Sequence, residues 1–390
     1  MIKQDIPKIR FYSYQGSWTE NRIADIVKIS AGGDVDKVKL KESGKYPVIA
    51  NTLTNKGIVG FYEDYKVKAP AVTVTGRGDV GYAVARHENF TPIVRLLTLQ
   101  SEKIDVDYLE NQINSMRILN ESTGVPQLTA PQLGNYKVYY PEIEEQFAIG
   151  SLFRNIDDLL ASYKDNLINY QSLKATMLSK MFPKAGQTVP EIRLDGFEGE
   201  WKVQSLKELA RFSKGNGYTK SDLVNSGNEI ILYGQLYTNY QTVISMVNTF
   251  VLETREKSVI SKGGEVVVPA SGESAEDISR ASVIEKSGVI IGGDLNIIYP
   301  DENKVDSIFL ALTISNGSQQ KELIKRAQGK SVVHLRNNDL EKVVLHYPSI
   351  EEQQAIGACF SNLDNLINSH QEKSSQLEIL KKKLLQDMFI

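Results

Sequence analysis

Residues 140–150 read Tyr-Pro-Glu-Ile-Glu-Glu-Gln-Phe-Ala-Ile-Gly, and residues 347–357 read Tyr-Pro-Ser-Ile-Glu-Glu-Gln-Gln-Ala-Ile-Gly. The echo continues at the same offset of 207 through Asn155/Asn362, Asp157/Asp364, Leu159/Leu366 and Leu173/Leu380 to Met181-Phe182 and Met388-Phe389. It also reaches upstream, pairing Val125, Leu128, Leu133 and Tyr140 with Val332, Leu335, Leu340 and Tyr347. A second echo, at an offset of 183, joins Pro7-Lys8-Ile9-Arg10 and Gly16-Ser17-Trp18 to Pro190-Glu191-Ile192-Arg193 and Gly199-Glu200-Trp201. Both tryptophans of the protein fall in it. The 390 residues are therefore one unit written twice: a short signature, a variable segment and a uniform tail. The offsets differ by 24, which makes the second variable segment the longer by that many residues.

Each tail reads as one long helix. Pro141 and Pro348 stand at the entrances, and acidic residues follow in the first turn, where the helix dipole favours negative charge. Ser349 and Glu352 have capping-box spacing, while Glu142 replaces that serine in the first copy. Leu152, Ile156, Leu159, Tyr163, Leu167, Tyr170, Leu173, Met177 and Met181 recur at steps of three and four. The second tail repeats the stripe with Leu363, Leu366, Leu377, Leu380, Leu384 and Met388, interrupted around His370 and Lys373. Two matched stripes predict a coiled-coil pair, the helices packed on each other. The expected seam sets Leu152, Ile156, Leu159, Leu173 and Met177 against Leu363, Leu366, Leu377, Leu380 and Leu384.

The variable segments carry another period. Ala71-Val72-Thr73-Val74-Thr75 and Val80-Gly81-Tyr82-Ala83-Val84 flank the glycine-rich turn Gly76-Arg77-Gly78-Asp79, and Val266-Val267-Val268 before Pro269-Ala270-Ser271-Gly272 is the expected counterpart. Strand-sized runs also lie at Tyr46–Ala50, Ile230–Tyr233 and Val289–Ile291. The fold class that follows is mixed α/β (α+β): domains at 1–142 and 183–347, long helices at 143–182 and 348–390, and an internal pseudo-twofold repeat.

Several functions are excluded by composition and motif. No apolar run reaches the roughly 18 residues of a membrane span, and Met1–Asp5 lacks the pattern of a secretion signal. The single cysteine, Cys359, has no partner for an internal disulfide, and His87, His334, His346 and His370 stand at no metal-ligand spacing. An intracellular, cytoplasmic protein without a metal site is expected. Gly329-Lys330-Ser331 ends like a phosphate-binding loop, but Ile324 occupies the place of its first glycine. Asp301 and Glu302 in Pro300-Asp301-Glu302-Asn303-Lys304 are adjacent, whereas nuclease acids come from separate strands to share a metal. Arg77-Gly78-Asp79 is a hairpin turn rather than an adhesion tripeptide, and no Asn-Pro-Pro-aromatic motif of adenine methyltransferases occurs. No catalytic residue is expected. The net charge of -3 does not describe a DNA-coating protein, yet residues 1–140 hold 18 basic against 15 acidic side chains.

The duplicated organisation, with Ile143-Glu144-Glu145-Gln146 and Ile350-Glu351-Glu352-Gln353 heading the helices, resembles the specificity (S) subunit of type I restriction-modification systems over essentially the whole chain. The resemblance implies two target-recognition domains, each reading half of a split double-stranded DNA site. It also implies that the two long helices form an antiparallel coiled coil, which holds the domains apart and docks two methyltransferase (M) subunits, with restriction (R) subunits joining that core. S-adenosylmethionine, ATP and magnesium would enter through those partners, with no cofactor in this chain. A duplicated scaffold that binds only proteins is the alternative, but it gives no reason for two divergent domains in otherwise echoing halves. Arg, Lys, Asn and Gln supply base-edge contacts, and glycine-rich turns let backbone approach phosphate. The candidate DNA contacts are Asn51, Asn55, Lys56, Arg77, Arg86 and Gln127 in the first domain. In the second they are Tyr233, Gln235, Tyr237, Asn239, Arg280, Lys330 and Ser331.

Overall fold

The computed structural model describes residues 6–116, 118, 125–329 and 332–390. The chain divides into two compact units, Met1–Asp165 with Gln371–Ile390, and Asn166–His370. The two uniform tails are helices Ile143–Lys180 and Ile350–Asp387, 38 residues each, or about 57 Å at 1.5 Å per residue. Each helix starts in one unit and finishes in the other.

Within each unit the variable segment folds around a strand whose five residues are all buried, Ala71–Thr75 in the first and Glu265–Pro269 in the second. A run of β-branched residues buried on both faces reads as continuous rather than alternating apolarity. In the first unit this strand lies between Leu96–Gln100 and Ala83–Arg86, antiparallel to both, with Lys28–Ala31 beyond. In the second it lies between Leu295–Pro300 and Ser282–Ile284, with Ala210–Lys214 and Val243–Ile244 at the edges. The alternation of the pleat then sorts the side chains. Val266 and Val268 join a core with Trp201, Phe309 and Phe360, while Val267 faces Ile231, Leu236 and Ile291 on the other side.

That other side is a smaller sheet. Tyr46–Ile49 pairs antiparallel with Ile58–Tyr62 and parallel with Thr91–Pro92, as Asn228–Ile231 pairs antiparallel with Phe250–Val251 and parallel with Ile290–Ile291. The glycine-rich stretch ends at a strand, Ala83–Arg86, that begins later than the run from Val80 suggests. The longer second segment adds strands Val243–Ile244 and Val259–Ile260, both between Ile231 and Glu265.

The helices run antiparallel within each unit. In the first, Lys164 pairs with Glu378 at 2.6 Å and Asp157 with Lys381 at 2.5 Å, so numbers rise on one helix as they fall on the other. In the second, Lys174 pairs with Asp364, and the Tyr170 and His370 rings lie 5.3 Å apart. The expected leucine seam needs correction. Ile156 and Leu363 are buried, but Leu159, Leu173, Leu366 and Leu380 are 48%, 47%, 41% and 44% exposed. The seam between two lone helices is too narrow to cover the whole stripe, and half-buried lysine–aspartate pairs fill part of it. Apolar burial concentrates at the helix ends, where Ile149, Phe153, Met388 and Phe389 enter one domain core and Met181, Phe182 and Phe360 the other.

Candidate nucleic-acid interface

The short signature locks each domain to its helix. Arg10 donates through Nε and Nη2 to the two carboxylate oxygens of Glu145, both at 2.7 Å, and through Nη1 to the carbonyl of Gly16 at 2.5 Å. Arg193 does the same to Glu352 at 2.8 and 2.6 Å and to Gly199 at 2.5 Å. The glutamates are 2% and 1% exposed, so these are buried bidentate pairs. The Glu145 carboxylate pushes the Arg10 pKa up through its hydrogen bond, against the opposing effect of burial. Glu352 is thereby spent on Arg193, and only half of the expected capping box forms, with Ser349 Oγ accepting from the Glu352 amide at 3.4 Å.

The neighbouring glutamine fixes a second element. Gln146 Oε1 accepts from the Asp105 amide at 2.9 Å, and Asp105 caps helix Val106–Ser115 by accepting from Tyr108. Gln353 accepts from Asp306, the cap of helix Ser307–Ile314, at the same distance. Gly150 permits that approach, since a Cβ there would lie 2.6 Å from an Asp105 oxygen. The second glutamate and the glutamine of the Ile-Glu-Glu-Gln echo thus each have a partner in their own unit.

On the first domain, Asn51 gathers the glycine-rich turn. Its amide donates to the Arg77 carbonyl at 2.7 Å, and its Oδ1 accepts from the Gly76 and Arg77 amides at 2.7 and 3.1 Å. Arg77 bridges Gln127 across an isolated antiparallel pair. Asn51, Arg77 and Gln127 are therefore brought together. Asn55 and Lys56 form an exposed turn with φ of 48° and 49°. Arg86 is not at the surface as the sequence reading expected. It is 8% exposed, donates to Thr73 at 3.0 Å and to the Lys56 carbonyl at 2.6 Å, and burial brings its pKa down to about 10. The guanidinium stays charged at neutral pH and holds the turn that presents Lys56.

On the second domain, Tyr233 and Tyr237 place their rings 6.2 Å apart beside a cavity of about 800 Å³, also lined by Tyr218, Leu223, Thr238 and Asp294. Gln235 lines it too, but its Oε1 accepts from Leu232 at 2.8 Å and its Nε2 donates to Thr249 at 2.6 Å. That amide is committed to the turn. Asn239 is exposed at the end of helix Gln235–Thr238, which bears Tyr237. Arg280 lies over the Tyr240 ring at 5.4 Å, in a recess shared with Lys174, and does not join the tyrosine group. Lys330 and Ser331 lie outside the described residues. Among the described residues no group of three or more His, Cys, Asp or Glu side chains is arranged to hold a metal, and no helix is long and apolar enough to cross a membrane.

Sequence reasoning missed Arg95 and Asp294, which sit beside these two clusters. Neither belongs to an echo, and each lies in the turn after a short strand, Thr91–Pro92 or Ile290–Ile291, where no period marks a single charged residue.

Comparison with known proteins agrees with this architecture. The family model described as "Type I restriction modification DNA specificity domain" matches residues 15–170 and again 198–379. The type I restriction enzyme MjaVIII specificity subunit of Methanocaldococcus jannaschii is 22% identical over 94% of this chain and 91% of its own length. The putative type I restriction enzyme MjaX specificity subunit of the same organism is 20% identical over 94% of this chain and 92% of its own. The crystal structure of a type I restriction-modification S subunit from M. genitalium superposes with a TM-score of 0.68 over 99% of both chains, at 15% identity, which shows a shared fold. The chain belongs to the type I restriction modification DNA specificity family and, as a specificity subunit, recognises DNA sequence without being a catalyst.

Proposed function

We propose that each variable domain reads one half of a two-part DNA site, while the helices set the spacing and dock two methyltransferase subunits, to which restriction subunits are added. One observation carries this reading. The attachment of domain to helix is repeated atom for atom in Arg10–Glu145 and Arg193–Glu352, whereas the surfaces it presents differ completely in chemistry. Two rigidly mounted, unlike modules suit two unlike half-sites, whose separation then becomes part of the specificity. Docking is supported by the leucines left in water at matching positions, Leu159 with Leu366 and Leu173 with Leu380, which give two similar apolar faces. S-adenosylmethionine, ATP and magnesium belong to those partners, and the assembly works where the DNA is, in the cytoplasm.

The test is a segment exchange. Replacing residues 19–140 by the corresponding segment of a relative, followed by mapping of methylated adenines in cells, changes one half of the methylated motif and leaves the other intact. A folded chimera that altered both halves would sink the reading.

A further inference from the structure

Arg95 and Asp294 occupy the same point of the two domains. The Gly76 amide donates to the Arg95 carbonyl at 3.0 Å, and the Ala270 amide to that of Asp294 at 2.8 Å. One residue further on, Gly32 donates to Leu96 at 2.8 Å and Gly215 to Leu295 at 2.9 Å. Two residues before, Ile93 donates to Ile49 and Gly292 to Ile231, both at 2.9 Å. Both positions are left-handed, with φ of 71° and 57°. That backbone is unfavourable for an arginine, which lacks the local hydrogen bonding that helps Asn and Asp, and such strain gathers at functional sites.

Both side chains are exposed, and among the described residues neither has a hydrogen bond or ion pair. Arg95 adjoins the Asn51–Arg77 turn: a Cβ on Gly76 would lie 2.7 Å from the Arg95 carbonyl. Asp294 lines the tyrosine cavity. The charges are opposite, and this is the informative part. An unpaired carboxylate on a DNA-facing surface is repelled by phosphate, and what DNA offers it is a base amino group.

Resting on the half-site reading above, we infer that Arg95 and Asp294 are specificity-determining residues at equivalent points of the two domains, Arg95 for guanine and Asp294 for the amino group of cytosine. Arginine donates in pairs to guanine O6 and N7, and aspartate accepts from cytosine N4. The shared backbone holds the two Cα atoms in the same local frame, and the side chain alone changes the base.

The test is selection from a randomised double-stranded DNA library by the full chain, in whatever complex it co-purifies with, followed by sequencing. Arg95→Gly and Asp294→Gly keep the left-handed backbone. Each is expected to flatten one position by about tenfold or more, a guanine in one half-site and a cytosine in the other. Asp294→Asn, also tolerated there, is expected to move selection at its position toward adenine. Variants that melt with the wild type and select an unchanged motif would overturn the assignment. So would an Arg95→Gly variant that weakens every sequence equally and lowers the salt slope by about one, the behaviour of a phosphate contact. A wild-type chain that selects no sequence would instead overturn the half-site reading beneath it.

Discussion

Arg10 and Arg193 hold their glutamates at 2.7 and 2.8 Å through Nε, yet the residues that follow the equivalent strands Tyr46–Ile49 and Asn228–Ile231 share nothing. Asn51 buttons down a glycine-rich turn, while Tyr233 opens onto a cavity. The halves are alike where domain meets helix and unlike where each domain faces outward. A lock must satisfy a buried charge, and only a narrow set of atoms does so. A recognition surface is hydrated when empty, and its residues change without cost to the fold.

The equality of the locks can be broken. Glu145→Ala and Glu352→Ala each leave a guanidinium buried without its carboxylate, at an expected cost of about 3–5 kcal/mol. Denaturant unfolding should give similar losses for both, and a variant that lost under about 1 kcal/mol would show that the two locks are not equivalent in energy.

The helix seam sharpens the contrast between covered and uncovered apolar positions. Leu160 is 8% exposed and its neighbour Leu159 is 48% exposed. Leu160→Ala should cost about 2–5 kcal/mol in thermal unfolding.

The helices that Asp105 and Asp306 cap differ in charge at their fifth position. Glu110 lies five residues beyond Asp105, and Ala311 five beyond Asp306. Burial, reinforced by Asp157 and opposed by Lys381, pushes the Glu110 carboxyl from 4.5 up to about 7. A raised carboxyl pKa means the folded protein holds the proton more tightly. The stabilisation is present below about pH 4.5 and is lost as pH rises through about 7. Glu110→Gln should therefore gain stability relative to the wild type at pH 8, by up to about 3 kcal/mol, and the difference should vanish near pH 4. Equal melting shifts at both pH values would remove Glu110 as the cause.

The smallest expected effect is on folding alone. Leu159→Ala and Leu366→Ala should change stability by under about 0.5 kcal/mol, yet both should reduce the methyltransferase subunit recovered with the chain. Unchanged recovery from the double variant would argue that partners dock elsewhere.

The two offsets, read from residues alone, determined that the molecule is a duplicated unit with two long helices, because period and repetition survive without any knowledge of contacts. The buried strands at Ala71–Thr75 and Glu265–Pro269 were legible for the same reason: local apolar runs follow a local rule. Partners distant in the chain were not. The signature and the Ile-Glu-Glu-Gln motif stood out separately, but no pattern joins Arg10 to Glu145 across 135 residues. Which leucines of a stripe meet a neighbour depends on how wide the seam is, so Leu159 and Leu173 were assigned to an interior that does not cover them. Arg86 has the composition of a DNA contact and the position of a strut, and only its 8% exposure and its bond to the Lys56 carbonyl distinguish the two. Arg95 and Asp294 lie in no motif. Their equivalence exists in the backbone hydrogen bonds of two folded domains, since a charge in a loop acquires meaning only from what the tertiary structure places around it.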